Sequence, residues 1–470
     1  MNHTSMMTLT QAHALLQARL PAVYLMGDGN TKMQRIHSDT RTLKAGDLFV
    51  ALHGERFDGH HFLPQARAAG AAAAIAQGGL TAAGLPGLEV PDTLQALGAL
   101  AAGWRAQWDA EHQRPLIAVT GSNGKTTVTH MLAAVLRIHA GPTAAWATPG
   151  NWNNAIGVPL TLLRLTAAHR IAAVELGMNH PGEIANLADM TQPTIALVNN
   201  AQREHLEFMH TVEAVARENG SVLSALPAWG TAVFPADDAF TPLWRTLAGS
   251  RRCITFGEHA AAHVHCLSAQ WQEWQACWNL KIATPQGTLE THLEIAGQHN
   301  VTNALAAVAC AVAADIPLPV IAQGLVAFRP VAGRSHRFTL HCAGRHITVV
   351  DDSYNANPDS VRAAIELLAT LPAPRLLVLG DMGEVGVQGA RFHAEAVAQA
   401  HASGIETILT LGPLSAQAGS GAQHCADMAT LIAQVQAHVP HMGSILVKGS
   451  RAMRLEQVVQ ALNKEAAPCS

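Results

Sequence analysis

Short apolar runs that break off abruptly into polar or glycine-rich residues recur along this chain, and they set its fold class. The runs at 117–119, 171–174 and 194–198 have the length of strands buried on both faces, without the alternation of a half-exposed sheet. Helical spacing lies between them, which is α/β patterning. Toward the C-terminus, strand-like runs at 348–350, 375–379, 407–411 and 444–447 alternate with helical stretches and predict a doubly wound parallel sheet. Before about residue 111, short strands such as 47–52 mix with helical stretches such as 94–104, and the polar segment 110–115 reads as a linker. The expectation is three α/β domains, at 1–113, 114–330 and 331–470.

Open α/β sheets collect ligands at the carboxyl ends of their strands. The first run ends in Gly121-Ser122-Asn123-Gly124-Lys125-Thr126-Thr127. Glycines let backbone N–H groups turn toward a phosphate, Lys125 supplies a mobile positive charge, and the Thr126 hydroxyl can sit on Mg²⁺ at a helix N-terminus. The commoner loop has a further glycine where this chain has Val119, so the form here is the shorter G-x-x-G-K-T. A nucleoside triphosphate is the expected ligand.

Three more strand ends carry candidates. Glu175 ends the 171–174 run and could hold Mg²⁺ or cap the next helix; His205 follows 194–198 as a second metal ligand or a plain loop histidine. After 348–350 the run Asp351-Asp352-Ser353-Tyr354-Asn355-Ala356-Asn357-Pro358 gathers carboxylates, a hydroxyl and amides at the mouth of the last sheet. Asp381 and Glu384 follow another strand end, where they could contact a ligand or only shape the loop. Asp92-Thr93 reads as a helix cap before a ligand site. Trp271, Trp274 and Trp278 fit a helical stripe or strand packing, and His60-His61 and the His263/His265 pair lack acidic or cysteine partners at metal-ligand spacing.

Composition narrows the class. The 470 residues, 49% hydrophobic, suffice for several cores, and a net charge of -4 argues against a nucleic-acid coat or a polybasic membrane patch. Seven cysteines without CxxC spacing fit neither a disulfide framework nor a zinc site. No basic segment followed by an apolar run stands at the start, and the alanine-rich tract at 66–76 is too short to cross a bilayer, so a cytoplasmic enzyme without membrane insertion is expected.

Taken together, these motifs resemble the Mur ligase family over nearly the whole length. Ser38-Asp39-Thr40-Arg41 and the segment 46–60 are similar to the family's uridine-nucleotide domain; Gly121 to Thr127, the stretch 148–154, Glu175 and His205 match its ATP and metal positions. The stretch 297–304 resembles the adenine-side motif, and 351–358, 380–384 and 448–451 resemble the member that adds a dipeptide. The Asp-Asn-Pro-Arg motif of the diamino-acid-adding member is missing. The resemblance implies an N-terminal domain for a UDP-sugar peptide, a central P-loop-type α/β ATPase domain and a C-terminal Rossmann-like sheet. Its implied partners are ATP, Mg²⁺, UDP-N-acetylmuramoyl-tripeptide and D-alanyl-D-alanine, handled by a monomer. A related ligase with another acceptor, of the diamino-acid-adding or folylpolyglutamate type, and a non-catalytic nucleotide-binding scaffold are the rival readings.

The same resemblance distributes roles. Lys125, Glu175, His205 and Asn154 are catalytic; Thr126, Glu175 and His205 hold metal. Gly121, Ser122, Asn123, Gly124, Lys125, Thr126, Thr127, His299, Asn303, Arg334 and Asp352 contact the nucleotide. Ser38, Thr40, Arg41, Asp352, Asn355, Asn357, Asp381 and Glu384 contact the peptide substrates. Many family members carry a carbamylated lysine as a metal ligand where this chain aligns Asn219. An uncharged amide there implies a weaker second metal, or compensation by Glu218 or a water.

Overall fold

A computed structural model of the chain describes residues 5–54, 57–110, 113–342 and 344–466. Three sheets carry the fold. The first has five strands in the order Tyr24–Met26, Gly87–Glu89, Ala73–Ala76, Asp47–Val50, Arg35–His37, parallel except for the first pair.

The second sheet has nine strands, and its parallel part is built from the apolar runs. Leu116–Thr120 lies between Ile171–Glu175 and Ile195–Val198, all parallel, and every residue of the three is buried. Helices on both faces explain why these strands show no alternation. The chain leaves Leu116–Thr120 toward Ala145–Ala147 and Ile171–Glu175 on one side, then crosses to Ile195–Val198 on the other. Such a reversal opens a crevice at the strand ends, and the glycine loop lies there. At the far edge Val264–Gln272, Cys277–Thr284 and Gly287–Leu293 pair antiparallel. Trp271 and Trp278 face each other across these strands with ring centroids 5.4 Å apart, while Trp274 is exposed in the connecting turn, so the tryptophans form no helical stripe.

Six strands form the third sheet: His336–Cys342, Arg345–Asp352, Ser444–Lys448, Arg375–Gly380, Thr407–Leu411 and Gln423–Cys425. It is parallel apart from the opening hairpin. That hairpin lies outside the sequence expectation, because His336–Cys342 is mostly half-buried and lacks an apolar run. Ser444–Lys448 returns to sit between the earlier strands, so Asp352 and Lys448 end up directly opposite each other at two adjacent carboxyl ends. Asp92 caps the Thr93–Asp109 helix by accepting from Leu94 N and Gln95 N at 2.8 and 2.9 Å.

Of the segment 110–115, Glu111 and His112 lie outside the described residues. One hydrophobic core runs from Leu9 and Leu16 through Leu97 and Leu100 to Val174, Leu187 and Trp244, joining the first two sheets. The Thr93–Asp109 helix forms the seam. Its Trp104 and Trp108 donate to the carbonyls of Leu165 and Thr166 at 2.8 and 3.1 Å. Arg105, fully buried, donates to the carbonyls of Thr191 and Gln192 at 3.1 and 2.9 Å and pairs with Asp109 at 3.2 Å. These carbonyls are at the C-terminal end of the Glu183–Thr191 helix, where a cation is favoured. Arg105→Ala should therefore cost on the order of 3 kcal/mol, as for removing one partner of a buried ion pair. Scanning calorimetry should show the main unfolding transition at a lower temperature; an unchanged transition would contradict the pinning role.

Candidate functional site

The loop after Leu116–Thr120 is held open by glycines that no other residue could replace. Gly121 has φ +129, and a Cβ there would lie 2.9 Å from Asn199 Cβ and 3.0 Å from two backbone nitrogens. Gly124, at φ +82, would place a Cβ 2.2 Å from Asn303 Oδ1. It is also the N-cap of the Lys125–Ala140 helix, whose first-turn N–H groups are capped by no side chain. Those uncapped donors border a cleft of about 960 Å³, with Lys125, Thr126, Glu175 and Glu204 on one wall and Arg334, Asp352, Asn355 and Lys448 on the other. A helix N-terminus of this kind favours an anion.

Several of the loop's polar groups are already bound within the protein. Gly121 N donates to Asn219 Oδ1 at 2.9 Å and Asn123 N to Asn200 Oδ1 at 2.9 Å. Lys125 Nζ donates to the carbonyls of Gly121 and Ser122 at 2.5 and 3.0 Å, and to Glu204 Oε1 at 2.9 Å. Glu204 is 5% exposed and its Oε2 has no partner among the described residues. Burial alone pushes this carboxyl up, but the Lys125 charge and His205 outweigh it and hold it below the usual range.

Glu175 is the second buried carboxylate of the cleft. Its Oε1 accepts from Thr126 Oγ1 at 3.1 Å and Asn153 Nδ2 at 2.7 Å, and its Oε2 is buried without a partner among the described residues. An unpartnered carboxylate oxygen beside a hydroxyl at the phosphate loop suits a hard divalent cation, so Thr126 and Glu175 fit Mg²⁺. Glu175 does not cap the following helix; Glu218 does that, accepting from Gly182 N and Ile184 N at 2.9 and 2.8 Å. This corrects the expectation that Glu218 compensates for Asn219. Asn219 itself is 1% exposed and its amide oxygen holds Gly121 N, so neither group borders the cleft.

His205 sits between two carboxylates. Its Nε2 lies 3.3 Å from Glu204 Oε1 and its Nδ1 pairs with Glu384 Oε2. Burial pushes this imidazole down, but the hydrogen bonds and charges of the two carboxylates outweigh it and raise the pKa to about 9. His205 is here an ionic link to the third sheet.

Other sequence candidates separate into those facing the cleft and those fixing its walls. Asp352 accepts from Lys448 Nζ at 2.6 Å and Ser335 N at 3.0 Å, and Lys448 also donates to Asn355 O at 2.9 Å. Arg334 lies over the Tyr354 ring at 4.3 Å. His299 borders the cleft, and burial pushes its imidazole down. Asn303 accepts from Asn199 at 2.9 Å beside Gly124, which makes it a support of the loop. Asn154 caps a helix through Ile156 N and Gly157 N at 3.1 and 2.9 Å, and its neighbour Asn153 is the one that reaches Glu175. Asn357 caps the Pro358–Ala369 helix and donates to Asn123 Oδ1 at 2.9 Å, clasping the phosphate loop. Asp381 spends both oxygens on Leu414 N and Ser415 N at 3.0 and 2.8 Å, so it shapes a loop. Ser38, Thr40 and Arg41 lie apart from this cleft, and Arg41 is clasped by Asp39 at 2.7 Å.

Sequence reasoning assigned no role to Glu204, Arg203, Asp359 or Lys448. Glu204 and Arg203 stand in the same polar run as His205, and only their burial against distant segments distinguishes them. Arg203 grips Asp359 through its backbone N–H at 2.8 Å and through Nη2 at 3.0 Å, docking the third sheet's first long helix on the loop. With Asp359 mostly buried, Arg203→Ala should weaken docking by about 2 kcal/mol, the low end for truncating one partner of a buried pair. Arg362, 3.3 Å from Asp359, remains as partial compensation. Small-angle scattering should report a larger radius of gyration; an identical profile would refute the docking role.

Residues 119–311 match the Mur ligase middle domain, 336–451 the Mur ligase glutamate ligase domain, and 32–105 the Mur ligase family catalytic domain. The UDP-N-acetylmuramoyl-tripeptide--D-alanyl-D-alanine ligase of Escherichia coli K12 is 39% identical, over 97% of this chain and 98% of its own length. A crystal structure of MurF from Acinetobacter baumannii superposes with a TM-score of 0.88 at 32% identity, covering 97% of this chain and 98% of that one. MurF ligase from Thermotoga maritima in complex with ADP, 24% identical, covers 92% of this chain and 97% of its own with a TM-score of 0.78, and shows the common fold.

Proposed function

The chain belongs to the Mur ligase family, and from that premise we infer that it is an ATP-dependent, ADP-forming ligase joining D-alanyl-D-alanine to UDP-N-acetylmuramoyl-tripeptide in peptidoglycan precursor synthesis. Relatives named for that reaction span nearly the whole chain. One observation supports the site assignment above others. A lysine, a threonine hydroxyl and a buried carboxylate with a spare oxygen converge at an uncapped helix N-terminus, across a cleft from Arg334, Asp352 and Asn355.

The chemistry follows from the reacting groups. A carboxylate repels an amine nucleophile, and oxide is too poor a leaving group. The γ-phosphoryl of ATP therefore passes to a carboxylate oxygen of the tripeptide, breaking the bond to the β-phosphate and releasing ADP. The amine of D-alanyl-D-alanine attacks the acyl carbon, the tetrahedral intermediate expels phosphate, and the amine gives up a proton. Charge builds on oxygens throughout, so fixed cations matter most. Lys125 leaves Glu204 and steadies the transferring phosphoryl. Thr126 and Glu175 would hold Mg²⁺, which supplies charge neutralisation on the phosphates. Arg334 and Asp352 serve the nucleotide from the third domain, Asn355 the peptide side, and Ser38, Thr40 and Arg41 the uridine end. Docking of the third domain keeps water from the acyl phosphate.

On this reading 1–113 binds the UDP-sugar peptide, 114–330 binds ATP and 331–470 brings the dipeptide. The enzyme works as a monomer in the cytoplasm, where its six described cysteines stay free thiols. No described helix is long and apolar enough to cross a membrane. Mass spectrometry of the product from ATP, UDP-N-acetylmuramoyl-tripeptide and D-alanyl-D-alanine tests the assignment, with phosphate release run in parallel. The dipeptide should stimulate release where diaminopimelate or lysine does not. Lys125→Ala should lower turnover about 100-fold or more, as for loss of one transition-state charge contact. Equal stimulation by the single amino acids would move the enzyme to another acceptor class.

A further inference from the structure

Arg334 precedes the first strand of the third sheet, yet three hydrogen bonds fasten its segment to residues 351–354 at the carboxyl end of Arg345–Asp352. Gly333 N donates to Asp351 Oδ2 at 2.8 Å, Tyr354 N to Gly333 O at 3.1 Å, and Ser335 N to Asp352 Oδ1 at 3.0 Å. The two segments lie close enough to call for a glycine: at φ +77, a Cβ on Gly333 would stand 3.1 Å from Tyr354 Cβ. Arg334 is thereby attached to the third sheet, with Tyr354 as its neighbour. Its guanidinium carbon lies 4.3 Å from the centroid of the Tyr354 ring, and both residues are half-buried and border the cleft. Arg334 has no ion pair among the described residues, unlike Arg203, which Asp359 and Glu395 hold, or Arg337, which Glu273 holds. The guanidinium of Arg451 lies 5.7 Å from the same ring, but Glu456 binds it at 3.0 Å and it does not border the cleft. What directs Arg334 is thus an aromatic face. A cation over such a face is attracted by the ring's quadrupole, more strongly as water is excluded. A carboxylate partner would neutralise the guanidinium, whereas a ring holds it and leaves its charge for an anion.

We propose that Tyr354 is the positioning residue for Arg334, its ring face aiming the unpaired guanidinium at the triphosphate, a role that rests on the nucleotide reading of the cleft. Arg334 meets the nucleotide and Tyr354 acts through it. Burial pushes the Tyr354 hydroxyl above its ordinary range, so the phenol stays uncharged and the face, not a phenolate, holds the arginine. A guanidinium already aimed loses less side-chain freedom when an anion arrives. Without the ring, Arg334 keeps its charge but must be ordered by the nucleotide itself, and affinity falls accordingly.

The chain has 2 tyrosines, and the other, Tyr24, is 64% exposed in the first sheet. Fluorine NMR of protein labelled with 3-fluorotyrosine therefore gives one signal for each, and Tyr354→Phe identifies the one from the cleft. In nucleotide-free protein, Arg334→Ala should shift the Tyr354 signal and leave that of Tyr24 in place; an unmoved Tyr354 signal overturns the contact. Calorimetric titration with a non-hydrolysable ATP analogue and Mg²⁺ reads the consequence. Tyr354→Leu should weaken binding about fivefold and Tyr354→Phe less than about twofold, as for loss and retention of a cation–π contact. In the Arg334→Ala background, Tyr354→Leu should weaken it no further. Wild-type affinity in Tyr354→Leu, an equal loss in Tyr354→Phe, or the same loss with Arg334 already removed overturns the proposal. A tyrosine with a merely structural role would lower affinity whether or not Arg334 is present, so the last comparison separates the two. If Tyr354→Leu does not fold, as judged by circular dichroism, Tyr354→Met enters the same cycle with the same readings. Should wild type bind no analogue, the nucleotide reading fails and the proposal with it; normal binding by wild type confines any failure to Tyr354.

Discussion

A largely buried lysine is the constraint around which this cleft is built. Lys125 projects from the glycine loop with its side chain 13% exposed. The loop answers by folding the lysine back on the carbonyls of Gly121 and Ser122 and on Glu204. Asn219, Asn200 and Asn357 tie down the remaining polar groups at Gly121 and Asn123. The loop is thus held in shape by its own hydrogen bonds, the lysine's contacts among them.

Docking of the third sheet grows from the same segment. The stretch 199–207 supplies the loop's neighbours on one side and, on the other, the residues that meet the C-terminal region: Arg203 with Asp359, His205 with Glu384, and Glu207 N with Glu384 O at 3.2 Å. Phosphate binding and docking are therefore neighbours along one short piece of backbone. His205 and Glu384 both adopt left-handed backbone, φ 51 and 54, at the point where they pair. Such conformations persist in non-glycine residues where the surroundings over-determine them.

Much of this was legible in the sequence, for identifiable reasons. Fully apolar strands have one comfortable environment, so the strands at 116–120, 171–175 and 195–198 and the polar residues at their ends could be located from pattern alone. Lys125, Thr126 and Glu175 followed, because their chemistry depends on local position. What stayed hidden depends on partners far along the chain. Glu204 looks like a residue of a solvated turn until Lys125, 79 residues away, is brought against it. Asp381 sits at the strand end where a ligand contact is expected, yet a loop 33 and 34 residues further on consumes both its oxygens. The polar stretch before Pro115 reads as a spacer because nothing in it reveals Trp104, Arg105 and Trp108 locking the preceding helix to the second sheet.

That locked helix determines how the molecule can move. With the first two sheets fused through a common interior, relative motion of the cleft walls concentrates at the single crossing near residues 328–335, between buried Phe328 and Gly333 at φ +77. The contacts that span the cleft beside this crossing are those at Asn357, Asp359 and Glu384, together with the Arg337–Glu273 pair.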